Sequence, residues 1–352
     1  MPFTENVFLK KFLKKKLIEL MRASNFVFPS AYQIEIEPSL DLTSFRGSVT
    51  IRLICEKCDT FSSFSLHASS ELEFSSILLD GESCSYSREE DLLTISCPNN
   101  KKISSSSVVQ FDFRGIIDAS GTGLYRNPMS SSPGLATQLF ATYARRVFPC
   151  WDEPSCKATF DLTLLLDNSI QGHAFSNMPV LSHSMKGSLR RIVFHQTPKM
   201  SCYLLAIFVG CCSQVKRWTR RNIPISVVVP MGEEEFGEWA VEIATKSVDF
   251  FEDFFSIALP LPKVDLIGLE SFLYGGMENW GLIFFSPHSL YVAKNGTFED
   301  KRSVASVVAH EMAHNWFGNL VTIAWWNDLW LSEGFATFAS WYKRKCVWCV
   351  CF

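Results

Sequence analysis

The spacing of apolar residues changes near residue 215, and this change constrains the fold more than any other feature of the sequence. Before it, apolar and polar residues alternate, as in segment 109–113, which is the period of a half-buried strand. After it, as in segment 236–251, apolar residues recur every three or four positions, the period of an amphipathic helix. We therefore expect an α+β chain of two domains: a β-sandwich or saddle domain over 28–215, then a mainly helical domain over 216–352.

Charge and targeting signals bear on partners and location. The chain has 33 Lys plus Arg against 36 Asp plus Glu, whereas proteins that bind nucleic acid usually carry a basic excess. We therefore expect no nucleic-acid partner. Residues 1–27 include a run of lysines and leucines typical of a basic amphipathic helix, and we expect a solvated extension there in preference to a membrane contact. The sequence shows no secretory-signal pattern, which predicts a cytoplasmic location.

The most informative stretch is the HExxH motif at residues 310–314. On a helix, His310 and His314 lie about 40° apart on one face and one turn apart along the axis. Both imidazoles can therefore reach one zinc ion. Glu311 points to the adjacent side, close enough to activate a metal-bound water without ligating the metal.

A site with two histidines needs a third ligand. Glu333 lies in LSEGFATFASWYKRK, which also has the apolar period of a helix. Its carboxylate would complete a His₂Glu site that leaves a fourth position open, as in catalytic zinc centres. Asp328 is a candidate hydrogen-bond acceptor for one of the ligand histidines; a loop or capping role for it is equally compatible with the sequence.

Two further segments carry a resemblance to a known family. GGMENWGLIFF resembles the GxMEN exopeptidase motif, and HEMAHNWFGNLVT with WWNDLWLSEGFATF resembles the zinc segment of the gluzincin aminopeptidases, such as aminopeptidase N and the puromycin-sensitive aminopeptidase. ARRVFPCWDEPSCKATFDL, KMSCYLLAIFVG and LPLPKVDLIG extend the similarity, which covers roughly residues 28–343. The resemblance implies that the second domain is a partial thermolysin-like catalytic domain.

The resemblance also implies a role for each matching position. His310, His314 and Glu333 would hold one zinc ion per chain, and Glu311 would be the general base for a zinc-activated water that attacks the first peptide carbonyl. Glu278 would bind the free α-ammonium of the substrate, which limits cleavage to the N-terminal residue. The other implied substrate-binding residues are Gln138, Gly275, Gly276, Met277 and Asn279. The implied function is that of a zinc-dependent aminopeptidase acting on peptides with a free N-terminus.

The sequence departs from the family in the segment after Gln138. Many members have a glutamate there that makes a second contact to the substrate amine, and this chain has Phe140. Losing one of two carboxylates around an ammonium weakens its binding by about 1–3 kcal/mol. We therefore expect a relaxed preference for free N-termini.

A second departure concerns the C-terminal side. Family members place a tyrosine several dozen residues after the third zinc ligand, where its hydroxyl stabilises the tetrahedral oxyanion, and this sequence stops at Phe352. Losing one oxyanion donor typically costs about 10²–10³ in rate. We therefore expect a C-terminally truncated member. The alternative function is that of a weakly active or inactive product that binds zinc, peptide ends or a full-length partner.

Overall fold

A computed structural model describes residues 23, 26–55, 62–98, 103–128 and 133–348, with side chains up to residue 343. The predicted extension over 1–27 therefore lies outside the described residues, apart from residues 23, 26 and 27. The strands of the described part are β1 (Val27–Pro38), β2 (Ser44–Cys55), β3 (Ser63–His67), β4 (Glu73–Leu79), β5 (Glu82–Ser83), β6 (Ser85–Glu89), β7 (Leu92–Ser96), β8 (Val108–Ile116), β9 (Gly123–Arg126), β10 (Leu135–Gln138), β11 (Thr159–Asp167), β12 (His173–Ser176), β13 (Val180–Lys186), β14 (Leu189–Phe194), β15 (Ile207–Gly210), β16 (Cys212–Trp218), β17 (Pro224–Pro230), β18 (Val264–Gly268), β19 (Gly276–Met277) and β20 (Leu282–Phe285).

Strands β1–β15 form three sheets, which we call the β-rich region. The largest sheet has the order β13-β14-β11-β1-β2-β8-β4-β5, with β1 and β11 parallel and the other neighbouring pairs antiparallel. A four-stranded sheet has the order β12-β15-β10-β9, and a three-stranded sheet the order β3-β7-β6. The strand-rich architecture expected from the two-residue period is confirmed.

The alternation of β2 explains how the largest sheet packs. Phe45, Val49 and Ile51 point to one face and are buried, as the two-residue period of a strand requires. Gly47 interrupts this row because it lies opposite Phe113 of β8, and a β-carbon at Gly47 would stand 2.5 Å from the Phe113 ring. The glycine therefore leaves room for an aromatic ring on the neighbouring strand.

The second part of the chain combines a five-stranded sheet, in the order β16-β17-β18-β20-β19, with helices. Strands β17, β18 and β20 run parallel, and the two edge strands pair antiparallel. The predicted boundary at residue 215 falls within β16. The sequence pattern does not separate β16 from the strands of the β-rich region, because all of these strands share the two-residue period. The position of the domain boundary stays a prediction.

The helices are α1 (Glu238–Phe255), α2 (Pro287–Leu290), α3 (Phe298–Ala313) and α4 (Leu329–Trp348), with 3-10 turns at Ala144–Arg146, Cys202–Leu204, Glu234–Gly237 and Trp326–Asp328.

Helix α1 has the apolar face that the sequence predicts. Ala240, Ile243, Ala244, Val248 and Phe251 are buried along it. Helix α1 packs on α3, and α3 also packs on α4. This stacking places α3, which carries the HExxH motif, between two other helices.

Buried polar contacts join the β-rich region to the second part of the chain. The Nδ2 group of Asn177 donates to the carbonyl of Trp280 at 3.0 Å. Lys263 in turn donates to the carbonyl of Ser176 and makes an ion pair with Asp265 at 2.7 Å. Trp280 directly follows the GGMEN segment, and Lys263 also donates to the carbonyl of Gly281 at 2.7 Å, so these contacts tie the residues after that segment to the β-rich region.

The described residues therefore form an α+β chain, as predicted: a strand-rich first part, then a second part with more helix than strand. None of the described helices combines the length and the apolar character needed to cross a lipid bilayer.

Candidate active site

Helix α3 positions two of the candidate metal ligands. It begins with a capping box, in which the Thr297 hydroxyl accepts from the Asp300 amide at 3.2 Å and the Asp300 carboxylate accepts from the Thr297 amide at 2.8 Å. The helix ends at Ala313, one residue before His314. The Nε2 atoms of His310 and His314 lie 3.1 Å apart, so both rings face one point.

Helix α4 brings Glu333 to the same point. Its Oε2 atom lies 3.3 Å from Nε2 of His310 and 3.8 Å from Nε2 of His314. Ligand atoms bound to zinc at ~2.0–2.1 Å in a tetrahedral arrangement stand ~3.3 Å from one another. The three separations therefore fit three corners of a tetrahedral site, and two imidazole nitrogens with one carboxylate oxygen are a donor set that suits zinc.

The hydrogen bonds of the Nδ1 atoms determine which nitrogen of each histidine is free to bind a metal ion. Nδ1 of His314 lies 2.9 Å from the carbonyl of Phe317. A carbonyl only accepts, so Nδ1 carries the proton and Nε2 is left as a ligand atom. Nδ1 of His310 lies 3.4 Å from the Thr337 hydroxyl. Among the described residues, the Phe317 carbonyl and the Thr337 hydroxyl thus contact the second ring nitrogens, and a hydrogen bond from a ligand histidine to Asp328 stays a prediction.

The charges around this point favour a cation. Burial alone would lower the pKa of His314, but the carboxylates of Glu278, Glu333 and Glu311 outweigh it and raise the pKa to about 10. Hydrogen bonds from His310 and His314 hold the pKa of Glu333 well below its usual range. Three carboxylates thus converge on two imidazoles, and a divalent cation would satisfy this excess of negative charge.

Glu311 is buried beside the candidate ligands. One of its carboxylate oxygens, Oε2, has no hydrogen-bond partner among the described residues. Burial is the main cause that raises its pKa to about 8, with added repulsion from Glu278 and Glu333, while His314 acts in the opposite direction. A carboxylate that is not a ligand, and that has an oxygen without a partner, is placed for proton transfer to and from a bound water or substrate.

The GGMEN segment reaches the site through β19. Gly276 and Met277 pair antiparallel with β20, and Glu278 follows directly after the strand. Carboxylate oxygens of Glu278 and Glu311 and a ring nitrogen of His314 all lie within 4.8 Å of one another. The structure therefore brings Glu278, Glu311 and His314 together, as well as His314, His310 and Glu333.

The other predicted residues of this segment lie around the same strand. Met277 and Asn279 are buried, and Nδ2 of Asn279 has no hydrogen-bond partner among the described residues. The carbonyl of Gly275 accepts from the Ser286 amide at 3.2 Å. Gly275 is thus held at the edge of the sheet, and the polar group of Asn279 is left for another partner.

Gln138 ends strand β10 in the β-rich region and is buried. Its Oε1 atom accepts from the amide of Phe140 at 3.3 Å, and its Nε2 atom has no partner among the described residues. The Phe140 ring packs edge-on against Tyr203 and Trp326, with ring centroids 5.7 Å apart in both cases. Trp326 lies just before helix α4, so the segment of Gln138 borders the helix that carries Glu333.

Comparison with known proteins agrees with this arrangement. The sequence profile of the Peptidase M1 N-terminal domain matches residues 28–204, and that of the Peptidase family M1 domain matches residues 239–346. The chain belongs to the M1 peptidase family. The strand-rich first part of this M1 chain corresponds to the first profile, and the HExxH and GGMEN motifs lie within the second.

Individual relatives extend over most of this M1 chain. It is 38% identical over 339 residues to the puromycin-sensitive aminopeptidase of Caenorhabditis elegans, covering 91% of this chain and 35% of that protein. It is 37% identical over 331 residues to the alanine/arginine aminopeptidase of Saccharomyces cerevisiae, covering 91% and 38%, and 34% identical over 336 residues to aminopeptidase M1 of Arabidopsis thaliana, covering 91% and 37%. The chain thus spans between a third and two fifths of the length of these relatives.

Lys157 and Tyr203 of this M1 chain bond to residues just after the HExxH helix, and the sequence did not predict them as site residues. The buried hydroxyl of Tyr203 donates to the carbonyl of Gly318 at 3.4 Å, and the ammonium of Lys157 donates to the carbonyls of Asn319 and Leu320 at 2.9 and 3.0 Å. Both residues belong to segments that resemble the family, KMSCYLLAIFVG and ARRVFPCWDEPSCKATFDL. That position within a matching segment is the signal that could have identified them.

Proposed function

We propose that this chain carries the catalytic centre of a zinc-dependent aminopeptidase that removes N-terminal residues from peptides. The observation that carries the proposal is the convergence of His310, His314 and Glu333 at tetrahedral spacing, beside the carboxylate of Glu311. Membership of the M1 family supports it. One zinc ion per chain, peptide substrates with a free N-terminus and the cytoplasmic location predicted from the sequence are parts of this proposal.

The metal ion and the general base have different roles in the proposed hydrolysis. A zinc ion held by His310, His314 and Glu333 would polarise the scissile carbonyl and make a water molecule more acidic. Glu311 accepts the proton as water attacks, and returns it to the leaving amine. Burial raises the pKa of Glu311 above the usual range of a carboxyl group, as suits a group that takes up and releases a proton.

Glu278 sets the end of the substrate that enters the site. Its carboxylate is buried, and a buried charge is stable only when it is paired with an opposite charge. The α-ammonium of a peptide supplies that charge, and an internal peptide bond does not. We therefore assign to Glu278 the preference for peptides with a free N-terminus.

The remaining contacts to substrate come from buried polar groups without partners and from the backbone beside Glu278. Nε2 of Gln138 and Nδ2 of Asn279 are buried donors with no partner among the described residues, and leaving such groups unpaired costs about 1–3 kcal/mol each. We assign both to substrate binding, together with Gly275, Gly276 and Met277, whose backbone lies beside Glu278.

One observation favours the alternative, a protein that binds zinc and peptide ends or pairs with a full-length relative but turns over slowly. Helix α4 exposes aromatic side chains: Trp330, Phe335 and Phe338 are 68%, 47% and 52% exposed. Exposed aromatic side chains are typical of surfaces that bind another protein. The alternative shares the zinc site with the first proposal and differs only in turnover.

Hydrolysis of an alanyl fluorogenic amide by the purified chain separates the two. The proposal predicts turnover that a chelator abolishes, that added zinc restores and that Glu311→Gln eliminates. Glu235→Gln changes an exposed glutamate before helix α1 and should leave the rate unchanged. One equivalent of bound zinc without turnover would favour the alternative, and equal rates for the N-acetylated amide would exclude N-terminal specificity.

A further inference from the structure

Residues 318–320, which we call the turn 318–320, follow the HExxH helix and are held by two side chains of the β-rich region. The hydroxyl of Tyr203 donates to the carbonyl of Gly318 at 3.4 Å. The ammonium of Lys157 donates to the carbonyls of Asn319 and Leu320 at 2.9 and 3.0 Å. Three successive carbonyls therefore bind donors from a region more than a hundred residues earlier in the chain.

The other side of the turn 318–320 contacts the active site. The amide of Asn319 donates to the carbonyl of His314 at 3.1 Å. The side-chain Nδ2 group of Asn319 donates to the carbonyl of Glu278 at 2.8 Å, and Asn319 is fully buried. The turn thus bonds both to His314, a candidate zinc ligand, and to Glu278, the residue proposed to bind the substrate amine.

The shape of the turn depends on a glycine. Gly318 has a φ of +127°, a conformation that residues with a side chain rarely adopt. A β-carbon at Gly318 would also stand 2.9 Å from Nδ1 of His314. The turn is therefore built to lie close against the zinc ligand, and its position determines where Asn319 holds Glu278.

The two side chains from the β-rich region are well placed to fix that position. Burial lowers the pKa of Lys157 to about 8, which reflects the cost of removing an ammonium from water. The two carbonyl contacts offset this cost only at hydrogen-bonding distance, so they define the geometry narrowly. The Tyr203 ring packs against Trp326, with centroids 5.3 Å apart, and is fixed by that contact as well.

We propose that Lys157 and Tyr203 are positioning residues that hold Glu278 in place through the turn 318–320 and so set the affinity for the substrate α-ammonium. The expected change in KM rests on the proposed function. The expected change in the position of Glu278 can be measured without turnover. The metal ligands have anchors outside the turn: the His314 amide donates to the His310 carbonyl of helix α3 at 3.3 Å, and Glu333 is carried by helix α4. Loss of either positioning residue should therefore raise KM for a free-amine substrate and change kcat and zinc affinity little.

Two variants test the proposal with the full chain loaded with zinc. Lys157→Met removes both ammonium contacts, and Tyr203→Phe removes one hydroxyl and keeps the ring. We expect Lys157→Met to raise KM about tenfold, since hydrogen bonds to a charged group are lost, with kcat within about threefold of wild type. Tyr203→Phe should act in the same direction by a smaller factor. Lys157→Arg, which can donate to the same carbonyls, should recover most of the affinity.

Matched controls come from exposed residues of the β-rich region. Lys186→Met removes a lysine paired with Glu35 at the surface, and Tyr86→Phe removes an exposed hydroxyl. Neither should alter KM. Hydrogen exchange supplies a readout that needs no turnover: Lys157→Met and Tyr203→Phe should exchange faster in residues 276–282 and 318–322, and the controls should match wild type.

The outcomes separate this inference from the proposed function. Faster exchange in those two segments with unchanged zinc affinity supports it, even if the wild-type chain hydrolyses nothing. Exchange that matches the controls in both segments overturns it. So does a fall in kcat or in zinc affinity with KM unchanged, because the two residues would then act on the metal centre and not on Glu278.

Discussion

Gly276 lies against the carboxylate of Glu311, so that a β-carbon at residue 276 would stand 2.3 Å from Oε1 of the glutamate. The GGMEN strand and the HExxH helix can approach this closely only because residue 276 has no side chain. The contact explains why a glycine is needed at this position: it lets the strand proposed to bind substrate lie directly against Glu311, the proposed general base.

Replacing Gly276 by alanine should therefore displace Glu311. A displacement of about 1 Å at a catalytic group can cost about 10²-fold in rate, and we expect a fall in kcat of that order for Gly276→Ala. Gly187→Ala, between β13 and β14, is the control for a glycine-to-alanine change, because a β-carbon there meets no atom within 4 Å. Steady-state kinetics on both variants would check this, and equal rates for the two would contradict the proposed contact.

The local parts of the site were the parts that the sequence could predict. His310 and His314 are four residues apart on a helix whose start is marked by Thr297 and Asp300, so their shared face follows from helix geometry alone. Glu333 lies on a second helix, and it was proposed as the third ligand because the residues around it have the same apolar period. The α+β architecture followed from the change in apolar period near residue 215, because strands and helices have different apolar periods.

The contacts made by tertiary structure were not predicted. The groups beside the two histidine rings, Phe317 and Thr337, have positions that depend on how α4 packs on α3, and the expected bond to Asp328 stays a prediction. Lys157 and Tyr203 lie far from the motifs in sequence and belong to no periodic pattern. Only the folded chain shows that they reach the turn 318–320.

Phe140 offers a test of how the substrate amine is held. Its ring packs against Tyr203 and Trp326 beside helix α4, where the family resemblance implies a second carboxylate. Phe140→Glu should lower KM for an alanyl amide about tenfold relative to Phe140→Gln, since the two side chains differ mainly in charge. The comparison cancels the lost ring packing that both variants share. A KM that is the same in both variants would show that residue 140 does not contact the amine.

Lys343 should make the stability of the protein depend on pH. It lies on α4, donates to Ser247 and to the Ile243 carbonyl of α1, and has its pKa lowered to about 7, first by burial and then by the charge of Lys246. In the unfolded chain the pKa returns to about 10.4, so between about pH 7 and 10 the unfolded state binds the extra proton. The free energy of unfolding should therefore rise with pH in this window, by up to about 1.4 kcal/mol per unit.

Chemical denaturation at a series of pH values would check this. Lys343→Met should remove most of the rise between pH 7 and 10, whereas Lys186→Met, at an exposed site, should keep it. Below about pH 7 the wild-type contribution should be constant, since Lys343 is then protonated in both states. The same slope in wild type and Lys343→Met would show that the lysine is not buried in its neutral form.

The central claim is that His310, His314 and Glu333 hold one zinc ion, and zinc-edge X-ray absorption on the zinc-loaded chain tests it most directly. We expect one equivalent of zinc with only nitrogen and oxygen ligands at ~2.0–2.1 Å, two of them imidazoles, and loss of the bound zinc in His314→Ala. Glu235→Gln should bind zinc as wild type does. Sulfur ligands at ~2.3 Å, or full zinc binding in His314→Ala, would contradict it.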